Sequence, residues 1–171
     1  MYKSLFYITS LLNDLGLSPS IPTKDTYNSE YEGFCFQADG LSFRSRLAKK
    51  TPKKQGYFVS FWEKDANNKN TPYNFETFPD RLVISILDGD LSGQFVIPKN
   101  VLREKQILKH NGAKGKMALR FYPSWEKSLN KTAQAAQKWQ CDYFIDTTDI
   151  LQKEKLTQLY FPSSSINNKK P

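Results

Sequence analysis

Histidine and cysteine are scarce in this chain, with one His and two Cys in 171 residues. That excludes a structural zinc site built from four such ligands, and it excludes a disulfide-rich scaffold. Cys35 and Cys141 stand far apart and belong to no Cys-x-x-Cys pair. They read as two buried free thiols in a reducing compartment. Only eight glycines are present, which rules out a collagen repeat. No apolar run approaches the ~20 residues that a membrane-spanning helix needs. Gly-x-Ser-x-Gly, a phosphate-binding Gly-rich loop and a paired-histidine motif are all missing. The single histidine, His110, stands in a His-Asn-Gly turn and reads as a surface polar residue. The opening Met1–Ile8 stretch is apolar, but Asn13-Asp14 interrupts it and no small-x-small cleavage site follows, so a cytoplasmic protein is expected.

Aromatic residues make up 14% of the chain and hydrophobic residues 39%, enough for a packed core. The length suits one domain, expected over residues 1–162, followed by a disordered polar tail over 163–171. Apolar spacing predicts a first helix over 3–15, stopped at Gly16, then a polar loop over 17–32. Strands are predicted over 33–38 and 41–48, joined by Asp39-Gly40, a strong hairpin signal. Within the second of these, Leu41, Phe43, Ser45 and Leu47 point one way and Ser42, Arg44, Arg46 and Ala48 the other. Further strands are predicted over 57–63, 82–87, 94–97, 116–122 and 142–145, and helices over 99–109, 128–140 and 149–160. The nearly continuous apolar run 82–87 marks a central strand buried on both faces. The expected fold class is α+β (mixed α/β): one domain with a mixed central sheet of about five to six strands flanked by helices.

Lys and Arg outnumber Asp and Glu by 25 to 17, giving a net charge of +8. The excess is concentrated. Residues 44–54 hold six basic side chains and no acidic one: Arg44, Arg46, Lys49, Lys50, Lys53 and Lys54. Such a run repels itself unless a counter-charge is near, and nucleic-acid phosphate is the commonest one. A solvated face is the plain alternative. Lys114, Lys116 and Arg120 add charge further on, and Tyr57, Trp62, Tyr122, Trp125 and Trp139 accompany it. Exposed aromatics among cations stack bases, whereas buried ones fill the core.

A second constellation lies at 79–99. Metal-dependent nucleases of the restriction-endonuclease-like superfamily carry Pro-Asp, a gap, then Asp/Glu-x-Lys, the carboxylates holding Mg²⁺ and the Lys meeting the developing phosphate charge. Here Pro79-Asp80 and Lys99 are present, but the second carboxylate position is Ile97. An aliphatic side chain cannot hold a hard cation. In a hairpin of strands 81–87 and 93–98, Asp80 and Lys99 share one end, and Asp88 and Asp90 lie at the other. Glu63 or Asp65 would supply the missing carboxylate if strand 57–63 paired antiparallel with 82–87. The same meander places Lys49–Lys54 at the end away from Asp80.

Several segments together resemble the MepB family of small bacterial proteins: Phe43–Val59 with Trp62–Asp65, Gly93–Lys99, Gly115–Trp125 and Ala136–Gln140, organising roughly residues 33–145. The resemblance implies a fold similar to restriction endonucleases and a role in nucleic-acid binding. It maps the family's basic stretch onto Arg44, Arg46, Lys49, Lys50, Lys53 and Lys54, its Pro-Lys onto Pro98-Lys99, and its Lys-Trp-Gln onto Lys138-Trp139-Gln140.

The leading expectation is a sequence-nonspecific nucleic-acid binder, DNA favoured, on a degenerate nuclease scaffold. Its contacts would be Arg44, Arg46, Lys49, Lys50, Lys53, Lys54, Lys99, Lys116, Arg120, Lys138, Trp139 and Gln140. No catalytic residue, metal or cofactor is expected under that reading. If all six cluster residues met duplex phosphates, log K would fall against log salt with a slope of roughly −5. One rival is a Mg²⁺- or Mn²⁺-dependent nuclease using Asp80, Lys99 and Glu63 or Asp65. Another is a protein-interaction module whose basic face meets an acidic partner.

Overall fold

The computed structural model describes residues 1–162; the expected tail, 163–171, lies outside the described residues. The chain begins with helix α1 (Lys3–Asp14) and a two-residue strand β1 (Thr23–Lys24). Strands β2 (Phe34–Ala38) and β3 (Leu41–Leu47) form the expected hairpin. Both turn residues, Asp39 and Gly40, have positive φ, as a two-residue turn between twisted strands requires. Short strands β4 (Lys49–Lys50), β5 (Tyr57–Ser60), β6 (Glu63–Lys64) and β7 (Asn70–Thr71) follow. Then come the long hairpin β8 (Arg81–Asp88) and β9 (Leu91–Pro98), α2 (Lys99–Glu104), β10 (Ala118–Phe121), α3 (Lys131–Gln140), β11 (Phe144–Asp146) and α4 (Lys153–Tyr160).

The main sheet has six strands in the order β1-β2-β3-β8-β9-β11. All its pairings are antiparallel except β3 with β8, which run parallel, so the sheet is mixed. A smaller sheet, β10-β5-β4, lies apart from it, and β6 pairs only with β7. The protein is therefore an α+β domain, as its alternating elements indicated.

Both faces of the main sheet are covered. One carries α1 and α4, joined through Ile8, Leu12, Phe43, Val83, Val96 and Tyr160. The other carries the small sheet and α2, through Ile84, Phe95, Ile97, Val59, Phe121 and Leu102. Residues Leu82–Ile86 are buried without exception, which is why their apolar run lacks alternation. Among the described residues no helix is long and apolar enough to cross a membrane.

Several boundaries depart from expectation for local reasons. The helix expected over 99–109 stops at Glu104, and Gln106 takes a positive φ of 58°. Ile107 and Leu108 then enter the core outside any helix. The helix expected over 128–140 begins at Lys131, because Ser128 has positive φ and Asn130 caps the helix by accepting from the Ala133 N–H at 2.9 Å. The strand expected over 57–63 breaks after Ser60 into two pieces that join different sheets.

Three phenols, Tyr57 and Tyr160 buried and Tyr7 partly buried, tie distant segments together. Tyr7 meets Thr147 at 2.7 Å, Tyr57 donates to Asp88 at 2.7 Å, and Tyr160 donates to Gln94 at 2.6 Å. Burial pushes the Tyr7 hydroxyl up to about 12 and raises Tyr57 and Tyr160 well above the ordinary value. The unfolded chain loses these protons near pH 10 while the folded chain keeps them, so this stability is fully present below about pH 10 and is lost as pH climbs further. Urea midpoints should hold level up to about pH 10 and then fall; a level midpoint to about pH 11.5 would contradict the assignment. Cys35 and Cys141 are both free and partly buried, and burial raises both thiols. Both should react with a thiol reagent more slowly in the native protein than in urea; equal rates would refute this.

Candidate nucleic-acid interface

The basic run of 44–54 divides between the inside and the outside of the molecule. β3 is an internal strand, and its Arg44–Arg46 face lies beneath Tyr73 and Phe78 rather than outward. Arg46 has no solvent exposure. Its Nη1 lies 2.5 Å from Asp25 Oδ2, and its Nη2 donates to Tyr73 Oη. Arg44 Nη1 donates to both Asp25 oxygens at 2.9 Å, and its guanidinium lies 4.4 Å from the Tyr73 ring centroid. Burial raises the Tyr73 phenol, which stays neutral between the two cations. Gly33 makes room for this cluster: a Cβ there would lie 2.7 Å from Arg46 Nη1 and 2.8 Å from Asp25 Oδ2. Arg44 and Arg46 therefore leave the set of expected phosphate contacts. The alternation along 41–48 was right, but the face with the arginines is a core face.

The remainder of the run is outside. Lys49 and Lys50 form β4, the exposed edge of the small sheet; Lys49 Nζ lies 5.3 Å from the Tyr31 ring and Lys50 Nζ 3.4 Å from Asp88. Lys53 and Lys54 project from the next loop. That loop is fixed by Arg120 on β10, whose Nη1 donates to Thr51 Oγ1 at 2.9 Å and to the Gln55 carbonyl at 3.1 Å. Gly56, at φ +83°, lets the loop pass over Tyr122, because a Cβ there would lie 2.7 Å from the ring.

α3 closes the other side. Gln140 places its amide along the outer edge of β10, donating to the Arg120 carbonyl at 3.0 Å and accepting from the Tyr122 N–H at 2.9 Å. Its side chain thus stands in for a neighbouring strand. Gln137 Nε2 fastens the same helix to the Pro123 and Glu126 carbonyls at 2.9 and 3.1 Å. Trp139 is half-buried beside Lys105, whose Nζ lies 5.3 Å from its ring centroid.

Three adjoining depressions run between these walls. The first, about 480 Å³, is lined by Lys53, Lys54, Arg120 and Tyr122. The second, about 250 Å³, shares Arg120 and Tyr122 and adds Lys105, Lys116 and Trp139. The third, about 830 Å³, shares Lys105 and Lys116 and adds Arg103 and Lys114, with Glu104 its only carboxylate. Seven basic side chains thus line one continuous track. Among the expected residues it unites Lys53, Lys54, Lys116, Arg120, Trp139 and Gln140. Lys138 is exposed on α3 but lines none of the three. Arg103 and Lys105 were missed because α2 and its end read as an ordinary helix.

The Asp80–Lys99 end is different. The two do share one end of the β8–β9 hairpin, as expected, with the Lys99 N–H donating to the Asp80 carbonyl at 3.0 Å. The Asp80 carboxylate accepts from Ser42 N at 2.8 Å and from Ser42 Oγ at 3.0 Å, and Lys99 Nζ lies 4.9 Å from the Phe75 ring centroid. Ile97 is fully buried. The expected pairing of strand 57–63 with 82–87 does not form, because β3 occupies that flank of β8 in parallel. Glu63 instead sits on β6 opposite Thr71, and Asp65 Oδ1 accepts from the Asn67 and Lys69 N–H groups at 2.8 and 2.9 Å. The route that would have brought either carboxylate to Asp80 is thus absent. Among the described residues no group of three or more His, Cys, Asp or Glu side chains is placed to hold a metal ion. The basic loop lies at the opposite end of β8, beside Asp88, although through the β3–β8 crossover rather than a meander.

The MepB-like family model matches residues 25–146. A crystal structure of MepB is 45% identical, with a TM-score of 0.77, covering 88% of this chain and 100% of that one. A bacterial homing endonuclease is 16% identical with a TM-score of 0.46, covering 78% of this chain and 82% of that one, a likeness too distant to bear on chemistry. No curated protein sequence matches. The family match spans most of the chain, including β3, the basic loop, β10 and α3, and the chain belongs to the MepB-like family.

Proposed function

We propose that this protein binds the sugar-phosphate backbone of nucleic acid along the track from Lys53 to Lys114, without cleaving it. The observation that carries the reading is the lining of the three joined depressions: seven basic side chains against one carboxylate. Unbalanced cations held side by side on fixed elements release counterions from a polyanion when they engage it. Backbone contact of this kind carries no sequence information, which favours nonspecific binding. The hairpin that resembles a nuclease motif has a buried Ile97 where a metal carboxylate would stand, and its Asp80 is engaged by Ser42. Both support binding without hydrolysis on a degenerate nuclease-like scaffold.

Lysine footprinting tests the location. With a labelled oligonucleotide present, acylation of Lys53, Lys54, Lys105 and Lys116 should slow several-fold, while the equally exposed Lys69 and Lys153 keep their rates. Protection spread evenly over all lysines, or centred on Lys69 and Lys153, would overturn the assignment.

A further inference from the structure

We infer that the middle of the track is a stacking subsite for unpaired bases, so that the preferred ligand is single-stranded nucleic acid, with Trp139 and Tyr122 as the platforms. The inference rests on the nucleic-acid reading above and adds to it the state of the strand.

Most aromatic side chains near the basic groups are committed elsewhere. Tyr57 and Phe121 are buried, at 2% and 1% exposure. Trp125 packs edge-on to Tyr57 and Phe144, and Trp62 lies 5.7 Å from Tyr27 on another part of the surface. Trp139 and Tyr122 are the half-buried rings that line the central depression, flanked by Lys105, Lys116 and Arg120. Each is held from behind. Trp139 packs against the core cluster, and Tyr122 is fixed through its backbone N–H to Gln140 and by the close approach of Gly56. Rings already immobilised lose little freedom on stacking a ligand.

The chemistry of the ligand follows from what each form of nucleic acid offers. In a duplex the base faces are hidden in the stack, and only edges and phosphates reach a protein. Aromatic faces in a depression of about 250 Å³ between a strand edge and a helix then have nothing to stack on. A single strand offers a charged backbone and free base faces together, which is the combination this lining provides. Lys105 now rests near the Trp139 ring, a solvent-exposed cation–π contact. A base stacks on an aromatic ring more strongly than an exposed ammonium does. An incoming base therefore displaces Lys105 and leaves it free to meet the adjoining phosphate.

The test compares anisotropy of labelled oligothymidine, oligouridine and a mixed-sequence DNA duplex of equal length. Both single strands should bind about tenfold tighter than the duplex. Trp139→Ala should weaken single-strand binding about tenfold, the loss of one stacked base, and weaken duplex binding by a much smaller factor. Trp139→Phe, which retains an aromatic ring against the core, should restore most of the lost affinity and guards against misfolding of the Ala variant. The DNA and RNA arms identify which single strand is preferred. Duplex binding as tight as single-strand binding, or a Trp139→Ala variant with native melting and unchanged single-strand affinity, overturns the subsite and leaves the backbone reading standing. No binding of any probe at low salt overturns both.

Discussion

Replacing Lys53, Lys54, Lys105 and Lys116 together with alanine is expected to abolish most nucleic-acid binding while leaving the fold intact. All four side chains are exposed, and none of them makes a hydrogen bond or ion pair described above. Their removal should cost little stability, within the small range usual for surface substitutions. The effect on binding is far larger. Each phosphate contact on a single strand contributes about −0.7 to the slope of log K against log salt, which corresponds to roughly eightfold in affinity at about 50 mM salt. Four lost contacts then lower affinity by a factor on the order of 10³ and reduce the slope to about −2, the share left to Arg103, Lys114 and Arg120. A variant with native melting and undiminished affinity would show that the track is only a solvated face. If such a variant instead lost an acidic protein partner while oligonucleotide binding was absent in both forms, the basic face would be a protein-docking surface.

Asp25→Ala should have the largest effect on stability. Asp25 is the carboxylate shared by Arg44 and Arg46, and the latter is fully buried. Without it, the two guanidiniums keep only neutral partners, the Tyr73 phenol and, for Arg46 Nη1, the Ser45 carbonyl at 3.0 Å. The Nε atoms of both arginines already lack a hydrogen-bond partner, so nothing nearby compensates. Leaving a buried charge unpaired costs about 3–5 kcal/mol, a large part of the stability of a domain this size. Urea unfolding should register that loss. Replacing the trio by apolar residues, Asp25→Leu with Arg44→Met and Arg46→Met, should recover much of it, because the desolvation penalty disappears along with the attraction. A loss below about 1 kcal/mol in Asp25→Ala would mean that the cluster is more hydrated than its burial indicates. The cluster lies away from the track, so whatever Asp25→Ala protein remains folded should keep the wild-type salt slope.

These two experiments separate the two uses of positive charge that are contiguous in the sequence. From Arg44 to Lys54 nothing in the residue types distinguishes an arginine that ties down the core from a lysine that meets solvent. The alternation along β3 was legible, and so was the hairpin at Asp39-Gly40. Which face of β3 is outside depends on its neighbour, and the parallel partner β8 arrives only after four short strands. Parallel pairing across such a crossover leaves no local mark. For the same reason Glu63 and Asp65 looked able to reach Asp80, whereas the Asp80–Lys99 pairing was foreseeable because a hairpin is local.

The track shows the same division. Lys53, Lys54, Lys116 and Arg120 stood out as charge near aromatics. Trp139 and Gln140 were singled out by the family resemblance, and the structure supplies their separate tasks: one ring toward the groove, one amide along the edge of β10. Arg103 and Lys105 carried no signal. The helix expected to continue through them ends at Glu104, and the chain then turns at Gln106, which brings both cations to the groove.

The most direct measurement is the salt dependence of oligonucleotide binding by the unmodified protein, read by anisotropy from low to near-physiological ionic strength. With all seven basic side chains of the track engaged, log K should fall against log salt with a slope of about −4.9 on a single strand and about −6.3 on a duplex, and the probe should remain intact. An affinity that does not change with salt, or no binding at low ionic strength, would contradict the account.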